Sequence, residues 1–181
     1  MFNREYNFKG IHARYVTELT AELDSDKKFK LFDRNIDVLL TAPIVGLIYG
    51  RKSNKDESGQ VTVDNIKKIN FEQLNKEESK LEYNYQLIML IHDKKSLPID
   101  ERLNRAFRYS DGSPEKEECY QIYEQYILGG IEVLHEKLIE NNNPISIDDY
   151  LANIYYFIQE YKERNEEVMT EEDIINNIIN N

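Results

Sequence analysis

Along residues 12–23 the apolar positions fall at helical spacing. Ile11, Tyr15, Leu19 and Leu23 recur every fourth residue, which puts them on one face and predicts an amphipathic first helix. The next segment, LFDRNIDVLLTAPIVGLIYGRK over residues 31–52, has a different pattern. Between Val38 and Tyr49 it holds no charged residue, so a helix there is apolar on every side and belongs inside the protein. Asp33 can cap it, Pro43 predicts a kink or a break near Thr41, and Gly50 can end it. Ala42, Gly46 and Gly50 also recur every fourth residue, a stripe of small residues where another backbone can come close.

The remaining pattern is helical too. SNKDESGQ, residues 53–60, reads as an exposed loop. Val61–Val63 could form a strand but has no evident partner, so a helix starting at Asp64 or Asn65 and running through Ile66, Ile69 and Leu74 is expected. Residues 77–92 end in YNYQLIMLIH and read as a central helix; residues 99–109 follow Pro98 as a short one. Asp111-Gly112-Ser113-Pro114 is a turn into a helix with Pro at its first position, running from 114 to about 140. Gly129 and Gly130 fall in its middle. Each costs about 1 kcal/mol there relative to Ala, so the pair needs a packing reason, and crossing the Ala42–Gly46–Gly50 stripe supplies one. Asn141-Asn142-Asn143-Pro144 breaks the chain, and Ser146 with Asp149 then resembles a capping box opening a helix to about Glu166. Thr170 with Asp173 repeats the device before a last helix over 171–179. The expected fold is all-α: one compact domain over 1–181 with about seven or eight helices.

Charge adds a division that the periodicity lacks. The chain of 181 residues has a net charge of −11. Residues 1–108 hold 19 basic and 17 acidic residues, whereas residues 109–181 hold 4 and 17. Sub-lobes 1–110, charge-balanced, and 111–181, acidic, are therefore expected, the second suited to a basic partner. The 13 tyrosines, with no tryptophan, belong at boundaries between core and water, where ring and hydroxyl have different needs. One cysteine, Cys119, excludes an internal disulfide and a Cys-rich zinc site, and fits a reducing compartment. The longest uncharged apolar run is 12 residues, short of the roughly 20 of a membrane span, and the first residues lack a signal-peptide pattern. A soluble cytoplasmic protein without membrane association is expected.

No catalytic motif emerges. Gly46-Leu-Ile-Tyr-Gly50-Arg-Lys52-Ser53 has the outline of a phosphate loop but fails on glycine spacing and on its bulky apolar residues. His12, His92 and His135 form no ligand pattern, so neither a metal nor another cofactor is expected. His12 and His135 read as partly exposed helix residues, His92 as support for a helix C-terminus, and Cys119 as a small buried hydrophobe. The basic residues are the contact candidates: Arg102, Arg105 and Arg108 at three-residue steps beside Phe107 and Tyr109, Arg51-Lys52 at the end of the apolar segment, and Arg34 at its start. Such arginines bind phosphates and stacked bases, or pair internally with neighbours such as Asp100, Glu101 and the acids beyond residue 108.

Three blocks, LFDRNIDVLLTAPIVGLIYGRKS, YNYQLIMLIHD with ERLNRAFRYSD, and YILGGIEVLHEKL, resemble small uncharacterised bacterial proteins that travel with genome-defence or DNA-modification gene clusters. They cover about a third of the chain and transfer no functional residue. The resemblance implies an accessory component of a larger machine. Three functions follow as expectations. The first is a non-enzymatic adaptor acting by protein–protein contact in a bacterial multi-component system such as antiviral defence. The second is a nucleic-acid-binding protein using Arg102, Arg105 and Arg108. The third is an acidic DNA mimic that inhibits a restriction or CRISPR enzyme.

Overall fold

The computed structural model describes residues 5–23, 29–56, 66–141 and 143–166. Seven α-helices and one two-stranded sheet are found among them, in the order β1 (Tyr6–Lys9), α1 (Gly10–Leu19), α2 (Asn35–Tyr49), β2 (Ile66–Ile69), α3 (Phe71–Lys76), α4 (Glu78–Ile91), α5 (Ile99–Leu103), α6 (Pro114–His135) and α7 (Ile147–Glu166). The fold is mostly all-α, as the periodicity predicts. The chain divides into two compact units, Met1–Glu136 and Lys137–Asn181.

In the first unit α2 packs most extensively on α6. Glycine makes this crossing close. A Cβ built on Gly130 would overlap the Ala42 carbonyl oxygen, and one on Gly46 would overlap the Tyr126 carbonyl oxygen. Gly129 lies against the chain that leaves α2: its Cβ would sit 2.9 Å from the Cα of Lys52. There the Ser53 N–H donates to the Gln125 carbonyl at 3.0 Å. Gly50 has another role. At φ 62° it is the left-handed cap that ends α2, with open space around it. Around this crossing lie Ile36, Val38 and Leu39 of α2, Ile127, Ile131 and Leu134 of α6, and Val16 and Leu19 of α1, all buried.

Three local expectations are corrected. α2 continues through Pro43, which is buried within it, and the Asn84 amide of α4 donates to the Leu40 carbonyl one turn earlier at 2.8 Å. The start of α2 is not held by Asp33: the Asp37 carboxylate accepts the Arg34 backbone N–H at 3.0 Å. No helix runs from Ile66 to Leu74. Ile66–Ile69 pairs antiparallel with Tyr6–Lys9, Tyr6 opposite Ile69 and Lys9 opposite Ile66, and Asn70 then caps α3 by accepting the Gln73 N–H. Burial of Phe8 and Ile69 decides it: in a helix Ile69 would lose the partner strand that seats it. The strand expected at Val61–Val63, the starts at Asp64 or Asn65, and the last helix over 171–179 with its Thr170 cap lie outside the described residues.

Residues 99–109 are not one regular helix. After Leu103 the chain opens into a π-helical turn, Asn104–Arg108, and α6 likewise passes into one at Glu136–Glu140. Gly129 and Gly130 do not interrupt α6. In the second unit, Ser146 and Asp149 form the reciprocal cap of α7: Asp149 accepts the Ser146 N–H at 2.9 Å, and Ser146 Oγ accepts the Asp149 N–H at 3.2 Å. Asn153 is buried and donates to the carbonyls of Asn141, at 2.8 Å, and Leu138.

Candidate interaction surface

The basic residues singled out in the sequence do not form one surface. Arg102 donates from Nη1 to the Leu90 carbonyl at 2.7 Å, closing the last turn of α4, while its Nε is buried without an acceptor. Arg105 pairs with Glu101 at 2.9 Å, and Glu101 also accepts the Tyr109 hydroxyl. The Glu101 carboxyl is thereby held below the usual range, by Arg105 first and Tyr109 next. Arg108 is exposed and, among the described residues, reaches only the Asn104 amide oxygen at 3.1 Å. The π-helical turn changes the angular step between these residues, so even three-residue spacing does not line them up.

Arg34 is bound by Asp37 and Glu77, with its guanidinium held charged by the Asp37 hydrogen bond first. Arg51 pairs with Glu132 of α6 at 3.2 Å, and the Lys52 ammonium lies 5.7 Å from the centre of the Tyr126 ring. Internal acids therefore engage Arg34, Arg51 and Arg105, and a carbonyl engages Arg102. Ala42, Gly46 and Gly130 meet at the helix crossing, Gly129 abuts Arg51 and Lys52, and Gly50 stands apart from it.

The histidines depart from expectation. His12 and His135 are not partly exposed but buried, at 1% and 3%. They make reciprocal pairs between two helices: His12 of α1 with Glu132 of α6 at 3.2 Å, and His135 of α6 with Glu18 of α1. Tyr15 stacks on His135 with ring centres 3.8 Å apart. Both pairs fix α1 on α6, and no group of three or more potential ligands that could hold a metal is found among the described residues. His92 is the C-cap of α4 and hydrogen-bonds the Tyr126 hydroxyl at 3.0 Å. Burial is the main cause that depresses its pKa. Cys119 is buried, and burial pushes its thiol pKa up, which keeps it protonated and unreactive.

An open apolar face lies on α7. Ile147, Leu151, Tyr155 and Ile158 follow one another by four, four and three residues, so they make one face of the helix. All four are exposed, Tyr155 at 58%, and Tyr156 beside it is exposed at 62%. Those two rings meet edge-on at 5.9 Å. Asn153 is buried on another side, so α7 has a seated face and a bare apolar one. Asp148 and Asp149 stand in its first turn. The sequence predicts α7 only as a helix opened by the Ser146–Asp149 pair and running to about Glu166. The signal available was its tyrosine density, with Tyr150, Tyr155, Tyr156 and Tyr161 in a single helix.

Among the described residues no helix is long and apolar enough to cross a membrane. No protein-family model, no curated protein and no solved structure matches the chain.

Proposed function

We propose that this chain is a non-enzymatic accessory protein that docks a basic partner protein through the bare face of α7. The observation that carries the reading is the apolar stripe Ile147–Leu151–Tyr155–Ile158, left open to solvent in a helix capped by acids. Isolated exposed hydrophobes need no explanation, but a continuous apolar face does. Tyr is among the residue types that anchor protein interfaces, and burying an aliphatic side chain of such a face is worth roughly 1.5–3 kcal/mol. The excess of 17 acids over 4 bases beyond residue 108 selects a positively charged partner and speeds its approach. The resemblance to proteins of defence gene clusters suggests a bacterial multi-component system, with antiviral defence the leading process.

The pairing of Arg34, Arg51 and Arg105 with carboxylates leaves less free guanidinium for phosphates, so the protein-partner reading stands ahead of nucleic-acid binding. Affinity purification from the native cells tests it. A basic protein should co-purify with wild type after nuclease treatment, leave with added salt, and be lost from Leu151→Ser/Tyr155→Ser/Ile158→Ser. An Arg105→Gln variant should retain it. The reading fails if the triple variant keeps the same partner, or if nucleic acid is what co-purifies.

A further inference from the structure

We propose that a second site, the cleft between α3–α4 and the start of α6, binds a small zwitterion of the amino-acid class with an apolar side chain. Lys116 carries the inference. It lies in the first turn of α6, where Ser113 Oγ accepts its backbone N–H at 3.2 Å. Its side chain is buried, with only 8% of the residue exposed, yet its ammonium makes no hydrogen bond or ion pair among the described residues. What flanks it are two aromatic faces: Nζ is 4.3 Å from the centre of the Tyr85 ring and 5.3 Å from that of Tyr120. Three local rules are broken together. A lysine is nine-tenths buried, its ammonium has no ion pair among the described residues, and it stands at the helix end whose dipole is positive. The ring faces offset only part of that cost. A position breaking several rules at once is characteristic of a binding site.

The surroundings narrow the ligand. Lys116 borders a cleft of about 430 Å³, within the size range of small-molecule sites. Phe71, Leu74 and Leu81 give it an apolar wall. Asp111 also lines it, but its carboxylate is engaged by the Tyr120 hydroxyl at 2.6 Å. Glu78 and Glu82, one helical turn apart on α4, line the cleft and are exposed. Three carboxylates against one ammonium repel phosphates and other multiply charged anions. They suit a ligand that brings a single negative charge to Lys116 and a positive one to Glu78 and Glu82. A free amino acid with an apolar side chain has both charges and a body for the wall. A peptide C-terminus shares the carboxylate but lacks the ammonium, which allows the two to be told apart.

Titration calorimetry of the full chain tests the proposal with L-leucine and L-phenylalanine as probes. At least one should bind saturably at one per chain. L-Leucinamide, lacking the carboxylate, and N-acetyl-L-leucine, lacking the ammonium, should each bind at least about tenfold more weakly, the loss expected for one charged contact. Inorganic phosphate should give no saturable heat. Lys116→Met should weaken binding about tenfold or more. Glu78→Gln/Glu82→Gln changes only exposed positions, so its fold is secure, and it should weaken the amino acid while strengthening the anionic N-acetyl-L-leucine, which no longer meets their charge. The proposal is overturned if neither amino acid saturates by about 10 mM, a dissociation constant too weak to matter. Equal binding of leucine and leucinamide, or affinity unchanged in both variants, would overturn it as well.

Discussion

The crossing of α2 with α6 and the outer face of α7 treat apolar surface in opposite ways. At the crossing, glycines remove side chains so that backbones touch, and the surrounding Ile, Val and Leu are sealed from water. On α7, large rings stand in solvent with no glycine nearby. A sealed contact of small residues tolerates no added atom and offers nothing to a partner. An open apolar face tolerates substitution and has free energy left to gain by being covered. The contrast teaches that the most conspicuous apolar segment of this chain builds the scaffold, while the apolar surface left open lies on α7.

The contrast can be broken most forcefully at Gly130. Gly130→Leu should destabilise the protein by about 3 kcal/mol, because the Ala42 carbonyl cannot retreat without opening the crossing. Thermal unfolding should register this as a fall of roughly 10 °C for a chain of this length. A wild-type melting temperature would show that the crossing is loose. Next in size is the α1–α6 contact. His135→Ala removes the Glu18 pair and the Tyr15 stack from a buried site, and about 2 kcal/mol of stability should go with them in a denaturant titration. Glu18→Gln should cost less, since Glu18 reaches water and can be resolvated.

A smaller effect is expected from pH. His92 has its pKa depressed below 6.5 by burial, so the unfolded chain takes up a proton before the folded one does. Its contribution to stability is whole above pH 6.5 and declines as pH falls toward the folded value. Melting temperature should therefore drop on acidification below about pH 6.5, and the slope should flatten in His92→Asn. The smallest stability change belongs to α7. Leu151→Ser, Tyr155→Ser and Ile158→Ser alter exposed positions, so each should shift stability by about 0.5 kcal/mol or less, despite their intended effect on binding. A large loss in any of them would mean that the face is already covered within the chain.

Much of the helical fold was legible in the sequence because its signals are local. Ser113-Pro114, the Ser146–Asp149 pair and Gly50 mark helix ends through their own backbone geometry, and the observed helices start or stop there. The glycines of the α2–α6 crossing were legible although their partners are distant, because small residues at helical spacing mark a face where another backbone can approach. What was missed depends on distant partners. Tyr6–Lys9 and Ile66–Ile69 are four-residue strands too short to identify singly, and each is a strand because the other exists. His12 and His135 read as surface residues until the opposite helix supplies a carboxylate. Lys116 carried no signal in the sequence, and only the fold brings Tyr85 onto it. The arginines illustrate the limit from the other side. Their spacing suggested a stripe, and the turn geometry at Asn104–Arg108 with acids elsewhere in the chain disperses it.

One measurement addresses the central claim directly. A photocrosslinking amino acid is placed in the native cells at Tyr155 on α7 and, separately, at Arg108 on the π-helical turn. If α7 is the docking face, irradiation should join the Tyr155 variant to a basic protein and leave the Arg108 variant largely unlinked. Crosslinks from Arg108 with none from Tyr155, or links to nucleic acid, would contradict the account.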